Sequence, residues 1–426
     1  MKLYIDPGTG SMLFAVLIGI IGAVAYVFKE WAVKLKFLLT GGKKADTNTE
    51  KIPIVIFSDD KRYWSVFKPI CEEMNSRGID VVYMTASKDD PAFDENLQHL
   101  DAQFIGEGNR AFSKLNFLNA TMLISTTPGL DVFQWKRSKN VDYYVHVLHA
   151  ASNTCGYHMF GIDYYDAVLI SGNHHERDIR ALEKIRNLPA KELVMGCSIC
   201  QKTMSDFCRG VPYMDAMVNR LAAAPPLENK ERTVLLAPSW GKSSILNKFG
   251  DEIIKTLLET GYHIIIRPHP QSFTSEADLM NHLMTEFPNS NSLEWNRDSD
   301  NFDVLRRSDI LISDFSGIVY DYSLVYRKPV IYADVEFDDS PYDAWWLDTP
   351  FWPIASLPKI GKQLTKDNMQ NLKELIDSCI ESTEYKNNID SLIEETWQYK
   401  GEGAVRTADY IVNKYNELTE KNKANL

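Results

Sequence analysis

The chain has 426 residues, more than one hydrophobic core usually supports, so we expect two globular domains with small additions. Hydrophobic residues make up 44% of the sequence and charged residues 24%, which excludes both wholesale disorder and a protein with many membrane spans. The formal net charge of -12 at pH 7 gives no general attraction to nucleic acid, so no nucleic-acid partner is expected.

The six cysteines are too sparse for a disulfide framework and suit a reducing compartment. Cys197 and Cys200 have CxxC spacing, but no second CxxC or CxxH follows at the spacing of a zinc site. A structural or incidental role is favoured over a metal or redox role, and we predict neither a metal site nor a bound cofactor.

The first predicted element is an uncharged apolar stretch near the N-terminus, SMLFAVLIGIIGAVAYVF at 11–28, which has about the length that crosses a hydrocarbon core. Lysines follow it at positions 29, 34, 36, 43 and 44, and such a cluster marks the cytoplasmic side of a span. We therefore predict a single N-terminal membrane anchor over 1–40, with the body of the protein in the cytoplasm at the inner cell membrane.

Two other interpretations of this segment stay open. A cleaved signal peptide needs a basic start and a small-residue cleavage site, whereas residues 1–10 carry only Lys2, offset by Asp6. A helix lying in the membrane interface is the second, because WAVKLKFLL at 31–39 mixes aromatics, leucines and lysines. The polar residues 41–50 predict a linker.

Apolar runs and helical patterns then alternate, which is typical of a parallel sheet. Strands are predicted in the run that begins at Ile52 and at 79–85, 121–126, 143–150, 166–171 and 192–196, with helices at 62–77, 111–118, 175–186 and 213–222. Two prolines in the segment 222–231 mark a domain boundary. The alternation restarts with strands at 233–239, 262–270, 292–295, 309–313 and 329–333, and with helices at 247–260, 276–287, 302–308 and 317–326.

Two doubly wound, Rossmann-like halves predict an α/β protein of the architecture called GT-B, with a ligand cleft at the carboxyl ends of the strands. We assign 51–222 to an N-terminal acceptor domain and 223–395 to a C-terminal donor-binding domain. Helices are predicted at 366–382 and 403–418, and residues 396–426 are expected to pack back on the interface.

Polar residues that directly follow apolar strands are the best candidates for chemistry. Arg267 and His269 end the run IIIRPHP, where a guanidinium fork and an imidazole N–H suit phosphate oxygens, although both can also satisfy local carbonyls. The turn DFSG opens a helix whose N-terminus attracts anions, and Ser316 and Gly317 let the backbone come close to a phosphate.

Three further candidates lie in the same half. Asp314 is typical of a helix cap, which does not exclude phosphate binding. Asp321, one turn later, can receive a ribose hydroxyl or be a solvated helix residue. Ser239 lies in APSWGKSSIL at 237–246, a loop that can touch the donor but lacks P-loop glycine spacing. Asp298 and Asp300 form a lone DxD, which is weak evidence for a metal.

The first half supplies a candidate base in YYVHVLHA. Alternation places His146 and His149 on opposite faces, with His149 at the strand's carboxyl end. A neutral imidazole there can take a proton from an attacking hydroxyl, although an interior hydrogen-bonded histidine is the alternative. His174 and His175 are expected to begin a helix that lines the same cleft, and adjacent rings cannot share one face, so they do not predict a metal site.

Together these motifs resemble the CDP-glycerol glycerophosphotransferases, the family of teichoic acid primases and polymerases. The resemblance covers about residues 140–410 and is carried, in chain order, by LHA (148–150), APSW (237–240), RPHP (267–270), SDFSGIVYDY (313–322), RKPVIY (327–332) and GEGAVR (401–406). It implies a GT-B transferase that moves glycerol phosphate, or a similar alditol phosphate, from a CDP-activated donor to a hydroxyl of a lipid-linked cell-envelope glycan. The implied partners are this donor, the lipid-linked acceptor and the membrane.

By motif, the resemblance implies that His149 is the base and that Asp321 lies near the nucleotide. The residues implied to hold the pyrophosphate are Arg267, His269, Ser313, Asp314 and Ser316, with Gly317 in the same turn. His174, Ser239 and Arg406 are further candidates. The sequence departs from the family at HAASNTCGY, where His-Gly-Thr and a lysine are usual, and at Gly317, where a serine is usual. One alternative is a GT-B glycosyltransferase or epimerase that uses a UDP- or CMP-sugar in envelope polysaccharide synthesis. The other is a non-catalytic membrane scaffold.

Overall fold

A computed structural model describes residues 50–151, 154–193, 212–227, 231–298, 300–334 and 337–424. From Ile52 onward these residues form one unit that contains two parallel sheets, of seven and six strands. The central strands are runs of apolar residues buried on both faces, as in Ala120–Ser125 and Ile310–Ser313. Such strands need helices on both sides, and the alternation of strand and helix in the sequence supplies them.

The first sheet is built from the N-terminal part of this unit. Its strands are β1 Ile52–Ser58, β2 Val81–Thr85, β3 Leu100–Phe104, β4 Ala120–Ser125, β5 Val141–Val147, β6 Ala167–Leu169 and β7 Glu192–Leu193. Its helices are α1 Trp64–Ser76, α2 Asn109–Leu115, α3 Asn173–Ile185 and α4 Pro212–Ala223. The strands run parallel in the order β3-β2-β1-β4-β5-β6-β7. The order reverses between β1 and β4, which is where open parallel sheets bind ligands.

The second sheet repeats this arrangement. Its strands are β8 Thr233–Leu236, β9 His263–Ile266, β10 Leu293–Trp295, β11 Ile310–Ser313, β12 Val330–Ala333 and β13 Gly361–Leu364. The helices that follow are α5 Ile245–Glu259, α6 Ser272–Ser275, α7 Ala277–Glu286, α8 Phe302–Arg307, α9 Ile318–Tyr326, α10 Trp352–Ile360, α11 Leu372–Glu381, α12 Thr383–Thr396 and α13 Gly403–Ala424. The strand order is β10-β9-β8-β11-β12-β13, so the reversal lies between β8 and β11.

These two sheets confirm the predicted α/β architecture of two doubly wound halves. The prediction missed β3 and β13, together with α6, α10 and α12. β3 is an edge strand whose residues, LDAQF, are mostly exposed, so it lacks the apolar run by which the other strands were found. β13 reads GKQL and is short and polar. The assigned domain boundaries stay a prediction.

Several calls fall on the N-terminal segment, which lies outside the described residues together with the Cys197 and Cys200 pair. Within the described ranges, no helix combines the length and the apolar character that crossing a bilayer requires. The predicted localisation, a single-span protein of the inner membrane with a cytoplasmic body, is therefore corrected, because the structure does not support it. The membrane helix in the predicted fold class is withdrawn for the same reason.

The C-terminal helices return to the first sheet. On α13, Asp409 pairs with Arg77 of α1, and the Tyr410 hydroxyl lies 3.3 Å from that of Tyr143 on β5. At the end of α12 the backbone passes so close to Gly172 that a Cβ on this glycine would overlap it. The C-terminal helices α12 and α13 therefore hold the two sheets together by packing against elements of the first one.

A buried ion cluster makes a second connection between the sheets. Asp343, in the loop after β12, accepts the Phe160 N–H at 2.7 Å and pairs with Arg186 at the end of α3. Arg186 also holds Asp163 through two contacts of 2.8 and 3.0 Å. Because all three charged side chains are nearly inaccessible, removing one would leave the others buried and unpaired.

Candidate active site

His149 lies two residues beyond β5, at the carboxyl edge of the first sheet. Its Nδ1 is 2.9 Å from Thr126 Oγ1 and 3.4 Å from the Tyr157 hydroxyl, and its ring packs on Tyr63 with centroids 4.9 Å apart. Burial lowers the pKa of His149 to about 4, a hydrogen bond to Thr126 opposes this effect, and the charge of Arg62 adds to it. Thr126 Oγ1 can accept a hydrogen bond from Nδ1–H, and this tautomer leaves the lone pair on Nε2 as the basic site. Nε2 has no hydrogen-bond partner among the described residues.

His146 has a different environment on the same strand. It is fully buried, and its Nε2 lies 3.1 Å from the Tyr157 hydroxyl. Burial, and then the proximity of His149, lower its pKa to about 3. His146 is therefore an interior histidine that is neutral at ordinary pH and orients Tyr157.

His174 and His175 begin α3 and are both buried. The ring of His174 packs on Trp352 of α10 with centroids 4.4 Å apart, and its Nε2 lies 3.1 Å from the Ala151 carbonyl oxygen. Burial lowers the pKa of His174 well below its usual value, so its Nε2 can carry a proton as a neutral donor. His174 thus holds the peptide that follows His149, and it does not line an open cleft.

Tyr213, at the beginning of α4, connects this loop to the second sheet. Its hydroxyl accepts the Ala151 N–H at 3.0 Å and donates to Asp321 Oδ1 at 2.9 Å. Asp321 lies on α9, so the loop that carries His149 is one side chain away from the donor-side helix. The sequence placed Tyr213 in a helix and gave no sign of this connection.

Arg62 is a cleft residue that sequence reasoning missed. It lies in a short 3-10 helix after β1, where its Nε donates to Asp60 at 2.9 Å and its guanidinium is 5.8 Å from the Tyr63 ring centroid. After burial, its charge is the next cause that lowers the pKa of His269, and it also lowers that of His149. Its field therefore reaches candidate residues of both halves. The signal was available, because DDKRY directly follows the first strand.

Arg267 follows β9 at the carboxyl edge of the second sheet. Its guanidinium is half-buried and donates to Asn296 Oδ1. Burial lowers its pKa, and the carboxylates of Asp298 and Asp300 oppose that effect. A guanidinium remains charged at neutral pH, so this side chain is a cation with donors left for an anionic ligand.

His269 lies two residues further along. Its Nδ1 accepts the Gln271 N–H at 3.1 Å, which leaves the proton of the neutral ring on Nε2. Burial lowers its pKa, Arg62 contributes in the same direction, and Glu276 opposes both. His269 can therefore donate one hydrogen bond to a phosphate without being charged.

Asp314 and Ser313 face the protein interior. The Asp314 carboxylate, 1% exposed, accepts the N–H groups of Ser239 at 2.9 Å and Ile245 at 3.0 Å, and the fully buried Ser313 hydroxyl donates to the Ala237 carbonyl at 2.6 Å. Burial raises the pKa of Asp314, and these N–H donors oppose the rise. Both side chains, with the buried Ser239 hydroxyl beside them, fix the loops after β8 and β11; direct contact with a pyrophosphate stays a prediction for them.

The beginning of α9 has the accessibility that the previous pair lacks. Ser316 and Gly317 are partly exposed, and their carbonyls already accept the N–H groups of the helix's second and third residues. The N–H groups of Gly317 and Ile318 have no hydrogen-bond partner in the described part of the chain, so they are free to meet an anion. One turn later, burial raises the pKa of Asp321 to about 6, against the hydrogen bond from Tyr213.

Arg406, the last candidate, lies in the first turn of α13. It pairs with Glu402 at 2.7 Å and lies 3.7 Å over the ring of Tyr399, near the beginning of α13. The GEGAVR element around it is anchored by Asp215 of α4, whose carboxylate accepts the Gly403 N–H at 2.7 Å. This closing motif therefore fixes α13 to the helix that connects the two sheets.

No group of three or more His, Cys, Asp or Glu suited to a metal ion occurs in the part of the chain that the structure describes. In the DxD, Asp300 pairs with Arg220, and Asp298 accepts a hydrogen bond from Asn296 at 2.7 Å. Both carboxylates are thus engaged by protein groups near Arg267.

The candidate residues are thus a histidine on the first half and a guanidinium with a helix N-terminus on the second. The family model of CDP-glycerol:poly(glycerophosphate) glycerophosphotransferases matches residues 47–345. The chain belongs to this family. The resemblance read from the motifs is thereby confirmed, and the protein is an enzyme of a glycerophosphotransferase family.

No curated protein matches the chain. Among solved structures, it is similar to MnaA of S. aureus bound to UDP, with a TM-score of 0.53 and 11% identity over 86% of this chain and 97% of that one. The UDP-GlcNAc 2-epimerase of Methanocaldococcus jannaschii in complex with UDP-GlcNAc and UDP has a TM-score of 0.51 and 12% identity over 85% and 100%. The Neisseria meningitidis enzyme bound to UDP-GlcNAc has a TM-score of 0.50 and 10% identity over 85% and 100%. At these identities the likeness shows the fold alone, which is GT-B-like.

Proposed function

We propose that this glycerophosphotransferase moves glycerol phosphate, or a similar alditol phosphate, from a CDP-activated donor to a hydroxyl of a lipid-linked cell-envelope glycan. The observation that carries the proposal is a division of chemistry within one site. A neutral imidazole lies on the first half, and a guanidinium with a helix N-terminus lies on the second. The family description supports CDP as the nucleotide, and the motif resemblance supports the acceptor class.

The donor side needs groups that neutralise a pyrophosphate. In the proposed complex, Arg267 binds phosphate oxygens through its remaining N–H groups, His269 donates one hydrogen bond from Nε2, and the first N–H groups of α9 meet the same anion. Such donors stabilise the charge that develops on the phosphoryl group and the leaving nucleotide. The Oδ2 atom of Asp321 is left for a donor hydroxyl, since Tyr213 occupies Oδ1.

The acceptor side needs a base. In the proposed reaction the acceptor oxygen forms a bond to the phosphorus that carries glycerol, while the bond from this phosphorus to the bridging oxygen breaks. CMP leaves with that oxygen, and the acceptor proton passes to His149 Nε2. In this reaction Nδ1–H donates a hydrogen bond to Thr126, which keeps the lone pair on Nε2. Binding of the anionic donor raises the pKa of His149 from its low value in the free enzyme, because nearby negative charge favours the protonated ring.

A donor panel tests the proposal. Purified protein is incubated with CDP-glycerol, CDP-ribitol, UDP-GlcNAc and UDP-glucose in the presence of a synthetic polyol-phosphate acceptor, and the released nucleotide is identified by chromatography. We expect CMP from one of the CDP-alditols and no UDP. Release of UDP would instead support sugar transfer, and conversion of the UDP-sugar without release would support epimerisation. Absence of binding to every nucleotide by calorimetry would leave only a non-catalytic role.

A further inference from the structure

Tyr213 occupies an unusual position between the two halves. It is 8% exposed, and its hydroxyl is the middle of a chain that runs from the Ala151 N–H through the phenol to Asp321 Oδ1, at 3.0 and 2.9 Å. The first member belongs to the loop of the candidate base and the last to the donor-side helix.

The backbone of Ala151 is held at both its N–H and its carbonyl oxygen. Its N–H donates to Tyr213, and its carbonyl oxygen lies 3.1 Å from His174 Nε2. His174 is itself packed against Trp352, which lies on α10 and packs on Tyr320 of α9 with centroids 5.0 Å apart. Both routes from this peptide therefore lead to α9.

The helix that carries Tyr213 is itself anchored. Two residues further along α4, Asp215 accepts the N–H of Gly403 at 2.7 Å and that of Gly401 at 2.6 Å. Trp397 Nε1 donates to the same carboxylate at 3.2 Å. The beginning of α4 is thus fixed against the C-terminal segment, so the Tyr213 hydroxyl has a defined position.

We propose that Tyr213 is a positioning residue whose hydroxyl holds the His149 loop in register with Asp321, so that donor binding on α9 and placement of the base are coupled. This inference rests on the proposed function, because it assigns Tyr213 a part in that reaction. When a donor hydroxyl occupies Oδ2 of Asp321, the carboxylate stays ionised and retains its bond to Tyr213. The loop is then held most firmly when a donor is present.

The test compares Tyr213→Phe with Tyr322→Phe. Tyr322 is a fully buried tyrosine next to Asp321 on α9, and its hydroxyl donates to the Ser308 carbonyl at 3.2 Å. This control therefore loses a buried hydroxyl from the helix that carries Asp321 and leaves the Ala151–Tyr213–Asp321 hydrogen bonds intact. We expect Tyr213→Phe to lower kcat roughly 10- to 100-fold while the donor KM changes less than about 3-fold, because misplacing a catalytic group affects chemistry more than binding. Tyr322→Phe should keep the wild-type kcat.

A pH profile separates positioning from a general loss of structure. Burial raises the pKa of Asp321 to about 6, and the Tyr213 hydrogen bond opposes the rise. Tyr213 and Tyr326 are titratable groups that interact with Asp321. Activity that needs the ionised carboxylate is present above this pKa and lost below it. Removing the hydroxyl should therefore shift the acid limb of kcat to higher pH in Tyr213→Phe and not in Tyr322→Phe.

Hydrogen–deuterium exchange gives a readout that does not depend on the donor. Peptides covering 146–151 should exchange faster in Tyr213→Phe than in wild type or Tyr322→Phe, because the Ala151 N–H has lost its acceptor. Equal exchange in all three proteins, a kcat within about 3-fold of wild type, or equal losses in both variants without a pH shift would each overturn the inference. A wild type that releases no CMP would instead contradict the proposed function, and the exchange comparison would still decide whether the connection exists.

Discussion

The first six strands of the two sheets follow the same order. In each sheet a serine at the end of the fourth strand donates a hydrogen bond across the point where the order reverses. Ser125 on β4 donates to the Phe57 carbonyl at 2.9 Å, and Ser313 on β11 donates to the Ala237 carbonyl at 2.6 Å. A carboxylate braces each point as well: Asp59 accepts the Thr127 hydroxyl at 2.9 Å in the first half, and Asp314 accepts backbone N–H groups in the second.

What differs is the side chains placed just beyond these braces. The first half presents His149, neutral because burial lowers its pKa to about 4, with a nearby arginine. The second half presents Arg267 and the beginning of α9. The same topology thus carries the proposed proton acceptor in one half and the proposed anion site in the other. In the second half Ser313 and Asp314 are buried and bond to backbone groups, whereas Ser316 and Gly317 beside them are partly exposed.

The largest expected effect is on His149. Replacing it with alanine should lower kcat by about 10²- to 10⁴-fold, the usual contribution of a general base, and leave donor affinity within about 2-fold. Steady-state kinetics and calorimetry measure the two quantities. His99→Ala, at a partly exposed site paired with Asp80, is the control. A wild-type kcat in His149→Ala would mean that His149 is not the base.

Arg267→Ala should have the complementary effect. Losing one charge-assisted contact costs about 1.5–3 kcal/mol, so the donor KM should rise roughly 10- to 100-fold. The matched control is Arg232→Ala, which breaks a pair with Asp377 just before β8. An unchanged donor KM in Arg267→Ala, or a loss seen only in kcat, would contradict the assignment of donor binding to Arg267.

Gly172→Ala tests the close contact between Gly172 and the end of α12. A Cβ there would overlap the Glu395 carbonyl oxygen and lie 2.7 Å from Thr396 Cα. Because both are backbone atoms, we expect the variant to be destabilised by about 1–3 kcal/mol, seen as a lower melting temperature. Gly156→Ala is the control, since a Cβ there would lie 3.4 Å from its nearest neighbour, Phe351 Cζ, which is at the end of a side chain. Equal melting temperatures would mean that α12 can move away freely.

The smallest expected effect concerns His146, the interior histidine of β5. Burial lowers the pKa of His146 to about 3, so between its ordinary pKa and this value the unfolded chain binds a proton that the folded chain does not. The free energy of unfolding should therefore fall as pH drops through this window, and in His146→Gln that fall should be less steep by up to about 1.4 kcal/mol per pH unit. Urea unfolding at pH 7, 6 and 5 measures the slopes, with the exposed His282→Gln as control. Parallel curves would contradict the assignment of His146 to the interior.

The sequence was sufficient for the strands whose apolar residues are buried on both faces, and it predicts His149 and Arg267 as site residues because they follow such strands. It was insufficient where a residue's role depends on a contact distant in the chain. Tyr213 meets Ala151 and Asp321 only because α4 lies between the two sheets. Ser313 and Asp314 were predicted from their motif, and only the structure shows that their side chains face inward.

The most direct test of the central claim is the product formed from CDP-glycerol labelled in both its glycerol and the phosphate attached to it. We predict that both labels enter the acceptor together, with one CMP released per glycerol phosphate transferred, and that His149→Ala forms almost none of this product. Transfer of glycerol without its phosphate, or a product that forms equally well without His149, would contradict the account.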